Sequence, residues 1–218
     1  EELNLSVYMY EHAAKKDYRR FLPDIRQGEY EAISSRITQD KWKPDYGPAE
    51  FNSKWGVTAS GARKFLVAYN INLLGTKQQA IRIALNLREQ GRGPGKEGRL
   101  GKVKGIGWYV DEYNMAQISF NLLDTDVTSV HEAFEAVKEE AEKLDIAVVG
   151  SEIVGLIPLQ DILKASDYYM EKENLFITDE EQRVRLAIER MGLNSCAVFK
   201  PEERIIDYVA KDDNAEEL

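Results

Sequence analysis

The chain has 218 residues and a mass of 24.9 kDa, with 43% hydrophobic and 31% charged residues and a formal net charge of −9. These values exclude wholesale disorder and fibrous classes, and the acidic balance argues against general nucleic-acid or anionic-membrane binding. The single cysteine, Cys196, excludes an intramolecular disulfide and a thiolate metal cage, and it points to a reducing, cytoplasmic setting.

Glu1-Glu2-Leu3 reads as the last turn of a helix, and Val7–Tyr10 follows as a short strand that nothing upstream can pair. The expectation is therefore that the chain is part of a longer polypeptide. The spacing of Tyr30, Ile33 and Ile37 predicts a helix over Glu29–Lys41. Pro44, Gly47, Pro48 and Gly56 then predict a long loop over Lys43–Gly61. Phe65–Leu74 reads as a strand, and Thr76 with Gln79 as a capping box for a helix that ends toward Gly91. Val103–Val110 and Met115–Leu123 are strands around an Asp-Glu-Tyr-Asn turn. Val130, Phe134, Val137, Ala141 and Leu144 form one helical stripe, and Ile146–Val149 is a further strand. Helices are expected from Leu159 through Tyr169 and from a Thr178/Glu181 cap to Gly192, and Lys211–Leu218 reads as a frayed polar tail. The order β-α-β-β-α-β from Phe65 to Gly150 predicts an α+β, ferredoxin-like (split β-α-β) subdomain with extra C-terminal helices.

Alternation along these strands sorts side chains onto two faces. Phe65, Val67, Tyr69, Ile71 and Leu73 share one; Asn70, Asn72, Gln117, Ser119 and Asn121 fall on the other, with Gly105 and Gly107 expected beside them. Asn and Gly are poor strand formers, so this face reads either as a ligand-cleft wall or as an ordinary solvated face. Arg92–Lys104 places Arg92, Lys96, Arg99, Lys102 and Lys104 against one carboxylate, Glu97, which suits anion capture or simply a solvated loop. The loop carrying Trp42, Tyr46, Phe51 and Trp55 suits stacking on a flat heterocycle, or a small aromatic core beneath it. His12 and His131 read as exposed or structural, and Cys196 as a small hydrophobe. Metal-ligand spacings, Walker A, GxSxG and GxGxxG patterns are absent, and no catalytic constellation emerges.

Six segments carry a resemblance: YRRFLPDIRQGEYEAI (18–33), WKPDYGPAEFNSKWG (42–56), TASGARKFLVAYNINLLGT (58–76), ALNLREQGRG (84–93), VKGIGW (103–108) and ERIIDY (203–208). They resemble the formiminotransferase domain of glutamate formimidoyltransferases, which stands alone or is fused to a cyclodeaminase. The resemblance implies transfer of a formimino group from N-formimino-L-glutamate to N5 of tetrahydrofolate in histidine degradation. It implies two ferredoxin-like subdomains with a cleft between them. Residues 1–63 would be the end of the first subdomain and the connecting loop, and residues 64–210 the second. The family's folate-binding stretch maps onto Gly47, Pro48, Ala49, Glu50, Phe51, Asn52, Ser53, Lys54, Trp55 and Gly56. The family's general-base histidine lies upstream of Glu1, so no catalytic residue is carried over. Glu152, in GSEIVGL, stands where the pattern leads one to expect an amide, and His12 where it has an acid. The implied partners are N-formimino-L-glutamate, tetrahydrofolate as co-substrate, the N-terminal subdomain and, as a further case, a second copy in a homodimer. A non-catalytic folate- or effector-binding ferredoxin-like module is the alternative.

Overall fold

The computed structural model describes residues 4–215, with the side chains of 212–215 left out, so the expectations for Glu1–Leu3 and for residues 216–218 lie outside the described residues. The chain divides into two compact units, Glu1–Lys64 and Phe65–Leu218.

In the N-terminal unit, strand β1 (Val7–Glu11) is followed by short helices α1 (Leu22–Ile25) and α2 (Ile33–Arg36) and then strand β2 (Thr58–Ala62). The helix expected over Glu29–Lys41 is broken into a 3-10 turn (Tyr30–Ala32), α2 and a second 3-10 turn (Asp40–Trp42). No side-chain cap stabilises any of the three, which leaves one apolar stripe too short to hold a continuous helix. The expected loop is also shorter than Lys43–Gly61. Its last residues form β2, which pairs in parallel with β1 at Val7↔Thr58 through Glu11↔Ala62. The partner for the first strand thus comes from downstream.

The C-terminal unit runs β3 (Val67–Leu74), α3 (Lys77–Leu87), β4 (Val103–Val110), β5 (Met115–Leu122), α4 (Val130–Glu142), β6 (Ala147–Val154), α5 (Leu159–Glu173), α6 (Glu180–Met191), α7 (Pro201–Arg204) and α8 (Ile206–Ala215). Its sheet has the order β4-β5-β3-β6, all antiparallel. This is the ferredoxin-like arrangement, with extra helices after β6. The capping box at Thr76 and Gln79 is formed, and a second at Ser129 and Glu132 starts α4. Helix α6 is capped one residue later than expected, by Asp179, whose carboxylate accepts from Gln182 N, and it ends on left-handed Gly192. Strand β6 runs to Val154, well past Val149, and α8 carries residues 211–215 in helix where a frayed tail was expected.

One sheet face packs on helices. Val67, Tyr69, Ile71 and Leu73 of β3 and Ala116, Ile118, Phe120 and Leu122 of β5 are fully buried against Ala80, Ile83 and Leu87 of α3 and Ala133, Phe134 and Val137 of α4. Phe65 precedes the strand and is exposed instead. Gly105 and Gly107 belong to this helix-covered face, contrary to the sequence expectation. A Cβ at Gly107 would lie 2.2 Å from Ile81 N and 2.3 Å from the Ala80 carbonyl carbon, so the glycine lets α3 backbone rest on β4.

Helix backbone cannot yield as a flexible side chain can. Gly107→Ala is expected to cost about 2–3 kcal/mol, as overpacking with a backbone shift does. Urea unfolding of the purified chain measures it, and a loss below about 0.5 kcal/mol would contradict this packing.

Candidate functional site

The opposite face of the sheet is built in cross-strand rows. One row holds Trp108, Gln117, Asn72 and Gly150; the next holds Ile106, Ser119, Asn70 and Glu152; the third holds Lys104, Asn121, Ala68 and Val154. All five predicted wall residues therefore share this face. The interior of the first row is closed to solvent, while the Trp108 ring at its β4 end is 43% exposed. Gln117 and Asn72 are 1% and 0% exposed. Trp108 Nε1 donates to Gln117 Oε1 (2.9 Å), Gln117 Nε2 donates to Asn72 Oδ1 (2.8 Å), and Asn72 Nδ2 donates to Cys196 Sγ (3.1 Å) and Ser195 Oγ (3.4 Å). An indole N–H can only donate, so it fixes the orientation of both amides. Cys196 is thereby an acceptor at the end of a polar chain rather than a plain small hydrophobe.

The segment 192–196 reaches this row because Gly150 has φ +137° and a Cβ there would lie 2.3 Å from Ser195 Cβ. Ser151 N donates to Gly192 O (2.9 Å), which also covers the outer edge of β6. Beyond it the second row is partly open: Asn70 is buried, Ser119 and Glu152 are half-buried, and Ile106 is 59% exposed.

The five basic residues do not gather. Arg92 donates to Asn86 Oδ1 (2.9 Å), Arg99 pairs with Glu139 on α4 (2.5 Å), and Lys104 alone lies on the amide face, opposite Asn121. Lys96 and Lys102 are exposed.

In the N-terminal unit the predicted loop has a built conformation. Asn52 Oδ1 accepts from Lys54 N (2.9 Å) and Trp55 N (3.2 Å), Gly56 N donates to Asn52 O (2.7 Å), and Tyr30 OH donates to Ser53 O (2.6 Å). Phe51 meets Tyr30 edge-on at 5.6 Å, and Trp42 lies under the Arg36 guanidinium, so these rings pack within the unit. Trp55 is 66% exposed with Lys54 Nζ over its ring. Ser6, Pro48, Glu50, Phe51, Asn52 and Ser53 line much of a cleft of about 310 Å³; Ala49, Lys54 and Trp55 do not line it. Beneath the loop's entry, Arg19 and Asp45 form a buried ion pair at 2.9 Å; Arg19 Nη1 also donates to Lys43 O (3.0 Å), and Asp45 Oδ2 accepts from Met9 N (2.8 Å). Neither residue was singled out from sequence; an Arg and an Asp 26 positions apart give no local signal.

His131 is not simply on the helix surface. Its ring stacks on Tyr168 at 4.7 Å and approaches Ser129 Oγ, in a cleft of about 340 Å³ that also has Glu132, Glu135, Glu139 and Arg99 in its wall. No group of three or more His, Cys, Asp or Glu among the described residues could hold a metal, and among them no helix is long and apolar enough to cross a membrane.

The C-terminal unit is thus a ferredoxin-like α+β domain with an oriented amide array on its helix-free face. Comparison supplies the rest. Residues 68–211 match the formiminotransferase domain and residues 1–63 match that domain's N-terminal subdomain. The chain belongs to the formiminotransferase-domain family. It is 55% identical over 217 residues to formimidoyltransferase-cyclodeaminase of Mus musculus, and 55% identical over 213 residues to the protein of that name from Dictyostelium discoideum. These matches cover 100% and 98% of the chain but 40% of each relative's length. Glutamate formimidoyltransferase of Streptococcus pyogenes serotype M1 is 34% identical over 173 residues, 79% of the chain and 56% of that protein.

Burial holds the His131 pKa below its ordinary 6.5, outweighing the pull of Glu132 and Glu135 in the other direction, while Lys164 adds to the lowering. With the folded value depressed, the associated stability is present above pH 6.5 and is lost as pH falls through the folded value. The expected result is an imidazole NMR titration midpoint below 6.5, and weaker acid-side loss of stability in His131→Phe. A midpoint at or above 6.5 would refute it.

Proposed function

We propose that this chain is the tetrahydrofolate-binding portion of a glutamate formimidoyltransferase, acting in the cytoplasm in histidine breakdown. The reaction takes the formimino group of N-formimino-L-glutamate to N5 of tetrahydrofolate. The observation carrying this reading is identity of 52–55% over nearly the whole chain to five proteins named formimidoyltransferase-cyclodeaminase. The loop Gly47–Gly56 supports it: hydrogen bonds hold it in one conformation while Trp55 stays exposed, so a flat ring can stack there with little reorganisation.

In the transfer, N5 of the pterin attacks the amidine carbon and loses its proton, and the glutamate nitrogen takes a proton as its bond to that carbon breaks. Both transfers need a positioned acid-base group. Neither histidine of this chain is assigned that role here: His131 is stacked on Tyr168, and His12, exposed just after β1, lies outside the family's motif. The chain's contribution is binding and orientation of the co-substrate.

Two outcomes are expected. The 218-residue chain supplied with N-formimino-L-glutamate and tetrahydrofolate shows turnover at least about 10²-fold below that of a complete family enzyme, the loss that removing a general base brings. Comparable turnover would overturn the division of labour. Trp55→Ala binds tetrahydrofolate about 0.5–1.5 kcal/mol more weakly by calorimetry, with unchanged circular dichroism. Unaltered affinity would mean that this ring takes no part in binding.

A further inference from the structure

Within the strands of the amide face only two side chains carry charge, Glu152 on β6 and Lys104 on β4. Glu152 is half-buried, and among the described residues no Lys or Arg pairs with it. Its side-chain hydrogen bond comes from Asn70 Nδ2 at 3.5 Å, a long contact that leaves most of its accepting capacity unused. A partly buried carboxylate with unused accepting capacity can take N–H donors from a ligand. The same row places the Ser119 hydroxyl and the exposed Ile106 side chain across the sheet, with the Trp108 ring beside them. With Ser119 two strands and Ile106 three strands from β6, an acceptor at one end and a hydroxyl and an apolar shelf farther along suit an elongated ligand that presents a planar donor edge at Glu152.

We propose that Glu152 is a specificity-determining residue that receives a planar N–C–N donor edge of a bound substrate, its two oxygens accepting two parallel N–H groups. Carboxylates match such an edge in bidentate fashion, and charge-assisted pairs of this kind are about twice as strong as neutral ones. This inference rests on the proposed function, which supplies two sources of the edge: the formimino group of N-formimino-L-glutamate, and the 2-amino/N3 edge of the reduced pterin. Lys104 bears on the choice. It stands three strands away from β6, about 14 Å across the sheet at the usual inter-strand spacing. That span admits a folate with its pterin at Glu152 and its glutamate carboxylate toward Lys104, whereas formiminoglutamate is too short to meet both.

The test is calorimetric titration of the 218-residue chain and its Glu152→Gln variant with 5-formyltetrahydrofolate and, separately, N-formimino-L-glutamate. Each titration is repeated with an analogue lacking the edge: a 2-desamino-2-methyl folate and N-formyl-L-glutamate. The expected result is a Kd about tenfold or more higher in Glu152→Gln for one ligand, the size of a lost charge-assisted hydrogen bond. The wild-type chain should discriminate against that ligand's analogue by a similar factor, and the variant should not. A folate effect assigns the pterin edge; a formiminoglutamate effect assigns the formimino group. Because the analogue comparison reads the wild-type chain alone, it decides even if the variant misfolds. A chain that binds both ligands and discriminates against neither analogue overturns this inference and leaves the proposed function standing. Binding of neither ligand overturns both.

Discussion

A primary amide with no solvent access has to find its hydrogen bonds inside the protein, and Asn72 at the centre of β3 imposes that demand on everything around it. Its oxygen requires a donor from β5, which Gln117 supplies; Gln117 can present that donor because the Trp108 indole occupies its oxygen. The Asn72 nitrogen then requires acceptors from above the sheet, and the segment 192–196 supplies Ser195 and Cys196. Three strands and a loop from beyond α6 are tied by one chain of donors running in one direction. Reversing one amide would leave two like groups facing each other and at least one buried atom unpaired, a penalty of about 1–3 kcal/mol. The row is therefore a rigid edge against which the neighbouring row, with Ser119, Asn70 and Glu152, stays partly open.

The N-terminal unit solves a different problem with a similar device. Among the described residues its sheet has two strands, and a two-stranded sheet is at best marginal in water. The Arg19–Asp45 pair links the segment after β1, the turn at Lys43 and the β1 backbone at Met9 in a site with 0% and 2% side-chain exposure. The Tyr8 ring under the guanidinium completes the packing. Buried pairs of this kind add little net stability, because desolvation offsets most of the attraction, but losing one partner is severe. Their value here is geometric, since the pair settles where the chain enters the Gly47–Gly56 loop. One donor, Arg19 Nε, is left without a partner among the described residues.

Features written in local residue chemistry were legible in advance. Thr76 and Gln79 form the capping box their spacing announces, and the stripe from Val130 to Ala141 is the buried face of α4. What alternation could not supply was the handedness of a face. Gly105 and Gly107 are silent about which side they occupy, and only the approach of α3 to β4 decides it. Strand β2, Thr-Ala-Ser-Gly-Ala, has no apolar signal because all five residues are exposed; it exists through parallel pairing with a strand some fifty positions earlier. The apolar run Ile146–Val149 marks only the first half of β6, because Gly150, Ser151 and Glu152 carry no apolar signal and their polarity serves the loop and row beside them. Alternation places the amides on one face, but the burial of Asn72 in its first row depends on residues some 120 positions away.

The basic run shows why charge counted along a sequence overstates a charged surface. Between α3 and β4 the backbone turns repeatedly, so successive cations leave in different directions: Arg92 toward the end of α3, Arg99 toward Glu139, and Lys104 onto the amide face. Arg99 is paired with a carboxylate, and exposed charges farther apart than about 8–10 Å are screened from one another at physiological ionic strength. The amide face is consequently close to neutral, with one carboxylate and one ammonium in its strands, in a chain whose net charge is −9. On such a face the partly open groups are Ser119 and Glu152 beside Asn70, held against the covered pair of Gln117 and Asn72, and the two charges stand at their own positions. A ligand lying there, as proposed, would be chosen by its shape and polarity more than by the face's total charge.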